Sequence, residues 1–591
     1  MEPTRSVPAR PKRARRIAAC TALVLSAGML LAAPASADDA PAPHRTVTER
    51  PTSSAGLRPT LALPKHTAQK QKAAAAEGAG GAVVAAKPRA DFDDDGYSDL
   101  IYRTYDAELS ISPSTADQAY AFEIPGKVPS AHKDIIPVGD QTGDGVADVL
   151  TLSPYGSLSF RAGMSAAGTG NVAWTGKGWQ IYNKVLSPGD LTGDGRSDLL
   201  ARTPAGELYL YAATGNTTTA PFSARVLIGK GWGTYDQLIG ANDVNGDGIA
   251  DLYGRTVSGD LYFYTGTGSK AAPFAERVRV GHGWKIYNQV IGADDLNGDG
   301  RGDLLARAVN GDVFVYLATG DGGELATRVA SGTGLNVASL LAGAGGNPDF
   351  GKNDLLGLDT KGTLWSYWSL NNGTLSPRYK TSDDGSWKGA KPLYVSSLNE
   401  NTLVDLLEVF DGGVYNYSYS PNDVPKISSS WGSYNITVGP GDLTGDGKGD
   451  LLTRDSSGYL YVHPGNGTGS GFGARIKVGG GWNTYNVIIG SGDFTGDGRA
   501  DLLARDSAGV LKMYRGTGDK YRPFQSPFPV GKGWNTYTKL ATPGDLNGDG
   551  KADLVGVDRN GSLYLYTSNG SGQFTAPVRI GGGWGTYSIL N

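Results

Sequence analysis

From Asp91 onward, apolar residues come in short runs separated by glycine turns or by acidic loops. The stretch after Gly229 shows the arrangement. Leu238 and Ile239 lead into a polar loop, Leu252-Tyr253 leave it, and Ser258-Gly259 make a turn. Leu261–Tyr264 then place aromatics at alternate positions, and Arg277–Val280 precede the next glycine-rich turn. Short apolar runs bounded by turn residues predict strands, and no segment keeps a 3.6-residue apolar period over ten positions. Each unit therefore predicts four short strands and no helix.

The units repeat. Acidic loops begin at Asp91, Asp140, Asp190, Asp243, Asp295, Asp442, Asp493 and Asp545, with 49 to 53 residues between neighbours within each run. The 147 residues from Asp295 to Asp442 leave room for two more starts, which Asp354-Leu355-Leu356 and Asp405-Leu406-Leu407 fill. These two keep the closing acid and the strand but lose the earlier oxygens. Ten four-stranded units at this period predict an all-β chain, a β-propeller of about ten four-stranded blades. Units 1 and 2 diverge and 3 to 5 share a consensus; units 6 and 7 diverge again and 8 to 10 return to it. Such a duplication favours two five-bladed propellers in tandem, residues 91–345 and 346–591, over one ten-bladed ring or seven blades plus three. The last strand, within Thr586–Leu590, has no loop of its own, so it is expected to complete an earlier blade and close a ring.

The loops carry the strongest chemical signal, with oxygen side chains at positions 1, 3, 5 and 9. The first half supplies Asp91, Asp93, Asp95 and Asp99; Asp140, Thr142, Asp144 and Asp148; and Asp190, Thr192, Asp194 and Asp198. Asp243, Asn245, Asp247 and Asp251 follow, then Asp295, Asn297, Asp299 and Asp303. The second half supplies Asp442, Thr444, Asp446 and Asp450; Asp493, Thr495, Asp497 and Asp501; and Asp545, Asn547, Asp549 and Asp553. Short loops of oxygen donors bent at glycine suit hard cations, so about eight structural Ca2+ sites are expected. Without a cation the converging carboxylates repel one another. Threonine at position 3 removes a charge and should weaken its site. Arg301-Gly302-Asp303 spells an adhesion tripeptide, but Asp303 also closes its loop and is expected to be committed there.

DLTGDGRSDLLAR (190–202), DLTGDGKGDLLTR (442–454) and DFTGDGRADLLAR (493–505) resemble FG-GAP/VCBS repeats, the integrin-α-like propellers of many secreted bacterial proteins. The resemblance spans essentially all of 91–591. It implies that each loop joins the first two strands of a blade, on the face opposite the usual ligand face, and that calcium is structural. Dockerins also use DxNxDGxxD loops, but follow them with a helix and an acidic twelfth position, where this chain has Ala306, Thr453 and Ala504.

A second signature, GW-x-x-Y, pairs Trp179, Trp232, Trp284, Trp431, Trp482, Trp534 and Trp584 with a tyrosine three residues on. Wide rings fill wedge-shaped gaps between blades. The sharper alternative is sugar stacking in inter-blade pockets, similar to five-bladed lectin propellers of the tachylectin type, with avidity from repeated weak sites.

Composition refines this picture. Glycine, at 89 of 591 residues, is in excess and fits frequent turns. Residues 1–37 combine a basic start (Arg5 to Arg16), an apolar core (Ile17 to Ala33) and Ala35-Ser36-Ala37, the pattern of a secretory signal peptide. Arg15-Arg16 leaves Sec and twin-arginine export both open. Cys20, the sole cysteine, leaves with it, so no disulfide is expected. Residues 38–90, rich in Ala and Pro and free of Phe, Tyr and Trp, read as a disordered linker. Removing residues 1–37 takes away six of 54 basic and one of 58 acidic residues, leaving 48 against 57, a balance of −9. Neither a nucleic-acid footprint nor a second membrane span is predicted. Past the linker, His132, His282 and His463 are scattered, and no catalytic motif is visible. The expected product is secreted, extracellular and not an enzyme: a calcium-stabilised binding or adhesion scaffold for an extracellular protein or polysaccharide. A lectin using the GW-x-x-Y pockets and a hydrolase with a concealed site are the alternatives.

Overall fold

The computed structural model describes residues 45–48, 59–62, 87–105, 108–113, 120–122, 132–164, 170–344, 354–418 and 424–591. The signal peptide and the 345/346 boundary lie outside them. Among the described residues, helical structure is confined to single 3-10 turns, and the strands form ten antiparallel sheets, counted in chain order from the one containing Leu100–Thr104 to the one containing Asp553–Asp558. The chain is a β-propeller.

The fourth sheet shows how a unit becomes a blade. Tyr235–Asn242 runs into the acidic loop and returns as Asp251–Thr256, followed by Leu261–Tyr264 and Val278–Gly281. Ile239 pairs with Tyr253, and Leu252 with Tyr264. The aromatic strand alternates as predicted, with Leu261 and Phe263 buried and Tyr262 and Tyr264 half-buried.

The Leu-Leu pair after each loop builds the core. Successive strand residues point to opposite faces, and a blade is covered on both. Leu199 packs between the second and third sheets and Leu200 between the third and fourth. Leu304 faces the fourth sheet, and Leu305 joins Tyr102 in a core between the fifth sheet and the first. The same division recurs at Leu355 and Leu356, where Leu355 packs with Val555 of the tenth sheet and Leu356 with Leu406 of the seventh. Each such leucine contributes about 1.5–3 kcal/mol by burial.

Two sheets take their first strand from far along the chain. Ala338–Leu341 pairs with Leu100–Thr104, and Tyr587–Leu590 pairs with Asp354–Asp359, as Gly357 opposite Leu590.

The linker departs from expectation. Thr60–Leu61 adds a fifth strand to the fifth sheet, Thr60 opposite Thr333. Arg45–Thr48 docks on the sixth and seventh sheets, where Thr48 N–H donates to Thr381 O at 2.7 Å. Arg89 forms a buried ion pair with Asp294, Nε to Oδ1 at 2.6 Å. Parts of 38–90 are therefore ordered by individual charge pairs and backbone bonds. A composition argument based on apolar area does not register such contacts.

Candidate metal loops and blade interfaces

Each complete loop is braced by its own backbone. In the loop 295–303, Asp295 Oδ1 accepts the Gly298 N–H and Oδ2 the Gly300 N–H, both at 2.7 Å. Gly298 and Gly300 have φ of +80° and +86°, a left-handed conformation that glycine adopts without strain. Asp303 is fully buried and accepts the N–H groups of Leu296 (2.9 Å) and Ala318 (2.8 Å). The second bond ties the loop to the end of the third strand. It recurs fifteen residues on from Asp148, Asp198, Asp251, Asp450, Asp501 and Asp553. Position 9 thus ties its loop to the third strand in these seven units, and at Asp405 the bond within the loop is kept, Oδ2 accepting the Leu398 N–H at 2.7 Å.

The loops also link blades. Ala250, Gly302 and Ala552 N–H groups donate to the carbonyls of Asp190, Asp243 and Asp493 in the preceding loop, at 2.8, 2.6 and 2.8 Å. A Cβ on Gly302 would lie 1.7 Å from the Ala241 carbonyl oxygen, so only glycine fits there. The Arg-Gly-Asp tripeptide is accordingly built into a blade contact, with its carboxylate buried.

The donors suit a hard divalent cation. Asp91, Asp93 and Asp99 bring carboxylate oxygens to within 4.8 Å of one another. Thr192 Oγ1 is buried without a partner. Burial, with Asp299 and Asp295 adding like charge, pushes Asp303 up to about 8. Burial likewise raises Asp198 and Asp251 to about 7, Asp148 to about 6 and Asp545 to about 7. At position 3, the Thr142, Thr444 and Thr495 hydroxyls donate to the first Asp at 3.4, 3.4 and 3.2 Å. Asn245, Asn297 and Asn547 instead donate to the position-5 carboxylates of Asp247, Asp299 and Asp549.

Two settings share this one motif. Asp144, Asp194 and Asp247 stand exposed at the tips of first-half loops. The loops at 493 and 545 have no exposed residue and are covered by the first half. Asn183 Nδ2 donates to Asp497 O (2.9 Å), Asn288 Nδ2 to Asn547 O (2.7 Å) and Arg307 Nη2 to Gly548 O (2.9 Å). Lys551 lies 3.7 Å from both Asp236 and Asp549. At the loop of 442, Asp442 is partly covered and Asp446 exposed.

The seven GW-x-x-Y tryptophans are 2–8% exposed. Trp232 packs between the third and fourth sheets, its ring 4.7 Å from Tyr264. Its backbone N–H donates to Gly206 O in the preceding blade, and the backbones of Trp179, Trp284, Trp431, Trp482, Trp534 and Trp584 repeat that bond to the corresponding glycine. From the same preceding blade, Arg202 Nη1 donates to Trp232 O and Tyr235 O. Arg255, Arg454 and Arg505 repeat the clamp. The arginine recurs in the sequence, but its carbonyl partners belong to the next blade, so its role was not legible there. His463 belongs to this layer too: it stacks 4.5 Å from Trp431 and bonds Thr453 Oγ1, and burial lowers it to about 4.

A cavity of about 50 Å³ is lined by Arg89, Ser187, Gly240, Gly292, Asp294 and Gly343, among others. It is far below the several hundred Å³ of ordinary ligand pockets.

These sheets and acidic loops define a β-propeller. Its repeats are FG-GAP-like: that repeat is matched at residues 190–254, 243–306, 442–504, 493–556 and 545–590. No curated protein matches the chain. Solved structures with a similar arrangement include an Agrocybe aegerita lectin described as recognising non-reducing terminal N-acetylglucosamine. It is 16% identical, covers 84% of this chain and 96% of that one, and has a TM-score of 0.22. The BP39L lectin of Burkholderia pseudomallei is 13% identical, with 76% and 99% covered and a TM-score of 0.24. The Photorhabdus luminescens Tc holotoxin pore is 13% identical, with 82% of this chain but 26% of that chain covered and a TM-score of 0.25. At such identity and superposition these likenesses bear on neither ligand nor activity.

Proposed function

We propose that the chain is a secreted, calcium-stabilised, non-catalytic binding or adhesion scaffold built as two five-bladed rings, 91–345 and 346–591. The order of the cores supports the two rings: the fifth sheet packs back on the first and the tenth on the sixth. The observation that carries the calcium reading is the repeated loop. Its oxygen donors are tied by backbone bonds to two strands and, in several units, to the preceding blade. A cation held there by positions 1, 3, 5 and 9 would neutralise the buried carboxylates and stiffen the blade, leaving ligand contacts to exposed turns and edges. One such site at a free-ion concentration of 100 Kd stabilises by about 2.7 kcal/mol. Among the described residues no helix is long and apolar enough to cross a membrane.

The test is thermal melting in EDTA and after Ca2+ is restored, followed by protein and glycan arrays in both conditions. A lower melting temperature in EDTA, restored by Ca2+, is expected; an unchanged one overturns the calcium reading. Trp232→Ala should cost about 3–5 kcal/mol as a core deletion and leave array signals on folded protein unchanged. Loss of a glycan signal without loss of stability would favour the lectin alternative.

A further inference from the structure

We propose that the groove around Glu408 is a recognition site for extended peptides carrying arginine and, two residues later, valine, and that Arg45–Thr48 is its ligand in cis. Glu408 sits on the second strand of the seventh sheet, Asp405–Phe410, and is 0% exposed. A carboxylate there is costly unless it is paired and hydrogen-bonded. Tyr417 OH donates to its Oε2 at 2.8 Å. The Arg45 guanidinium supplies the rest, with Nη2 2.8 Å from Oε1 and Nε 3.1 and 3.3 Å from the two oxygens. Arg45 Nη1 donates to Ser386 O at 2.8 Å, and its Cζ lies 5.8 Å from the Trp387 ring and 5.9 Å from Phe410. A planar fork meets all of these at once, and an ammonium does not.

The rest of the segment is held through both main chain and side chains. The Trp387 indole N–H donates to Thr46 O at 2.9 Å, Asp383 N–H to Thr46 Oγ1 at 2.9 Å, and Thr48 N–H to Thr381 O at 2.7 Å. Val47 packs on the core that contains Leu364 and Trp387. Arg45 and Val47 are half-buried while Thr46 and Thr48 are exposed. This is the division of an extended ligand, in which backbone bonds give affinity and alternate side chains give selectivity. Eleven residues, 49–59, separate the segment from the next docked strand at Thr60–Leu61. That short tether gives the cis ligand a high effective concentration, so a peptide in trans must displace it.

The experiment uses the full chain with Arg45→Ala and Val47→Asp and a fluorescent peptide of residues 43–50. Saturable binding to this variant is expected, at least about tenfold tighter than to the unaltered chain. A peptide with Arg45→Ala should bind about 10–100-fold more weakly, the range for charge-assisted bonds, and one with Arg45→Lys in between. Equal binding to both chains, or indifference to the peptide's arginine, overturns the proposal. Should the double variant fail to fold, a protease site inserted between residues 49 and 58 is cut in the folded chain. Loss of the N-terminal fragment with uptake of the labelled peptide supports the site, and loss without uptake overturns it.

Discussion

The loops at 190 and 493 share a motif nearly residue for residue, yet they stand in different surroundings. In the first, Asp194 faces solvent with Arg196 beside it, at 3.5 Å. In the second, the backbone of Asp497 is gripped by Asn183 from the other half of the chain. Burial and the neighbouring Asp493 carboxylate also raise Asp497 to about 7. One sequence therefore serves as a solvent-facing blade tip and as part of a joint between halves. The difference comes from which partners the fold brings to it.

The largest test of that difference is at the joint. Arg307→Ala strips the Leu335, Ala338 and Gly548 carbonyls of a buried donor and should cost about 3–5 kcal/mol in denaturant unfolding. Arg454, at the same place in its blade but half-buried and bonded only within its own half, should cost about 1–2 kcal/mol. Equal costs would mean that the cover adds nothing.

Acidity gives the next effect. Asp303, Asp251, Asp198 and Asp545 have folded-state values near 7–8 against an ordinary value of 3.8. The stability they add through bound protons is complete below about pH 4 and is lost as pH rises through 7–8. In EDTA the protein should therefore melt higher at pH 5 than at pH 8. With Ca2+ the order should reverse, because the ion needs the ionised carboxylates. Melting curves at the two pH values, with and without chelator, decide it.

A smaller contrast separates the two settings directly. In EDTA, Asp497→Asn should stabilise by about 1 kcal/mol by removing a buried like charge, and in Ca2+ it should destabilise. Asp194→Asn in EDTA should stay within about 0.5 kcal/mol of the parent. The smallest effect is expected of Thr192→Asn, which adds a carbonyl donor beside an unpartnered position: a few-fold tighter Ca2+ binding at that loop by calorimetry.

Much of the blade was legible because it repeats. The Leu-Leu pairs, the alternating third strand and the closing acids follow from strand periodicity and loop geometry, which are local. The tryptophans were legible as rings that fill the gaps between blades, and they are buried there; the carbonyls and arginines that clamp them were not, since those belong to neighbouring blades. Arg45 and Glu408 lie 363 residues apart and meet through one ion pair. No period or composition marks such a pair. The joint was hidden for the same reason: Asn183 and Asn288 are ordinary polar residues until the other half's carbonyls are brought to them.

The pairing of Tyr587–Leu590 with Asp354–Asp359 also has a consequence for synthesis. The sixth sheet stays unfinished until Tyr587–Leu590 has left the ribosome, more than 220 residues after its partner strand. Until then Asp354–Asp359 offers an open edge to any extended segment nearby. Closing so long a span adds little in loop entropy but slows folding. Deletion of Tyr587–Leu590 should therefore be felt less as a weaker native state than as a nascent chain that aggregates before it can close.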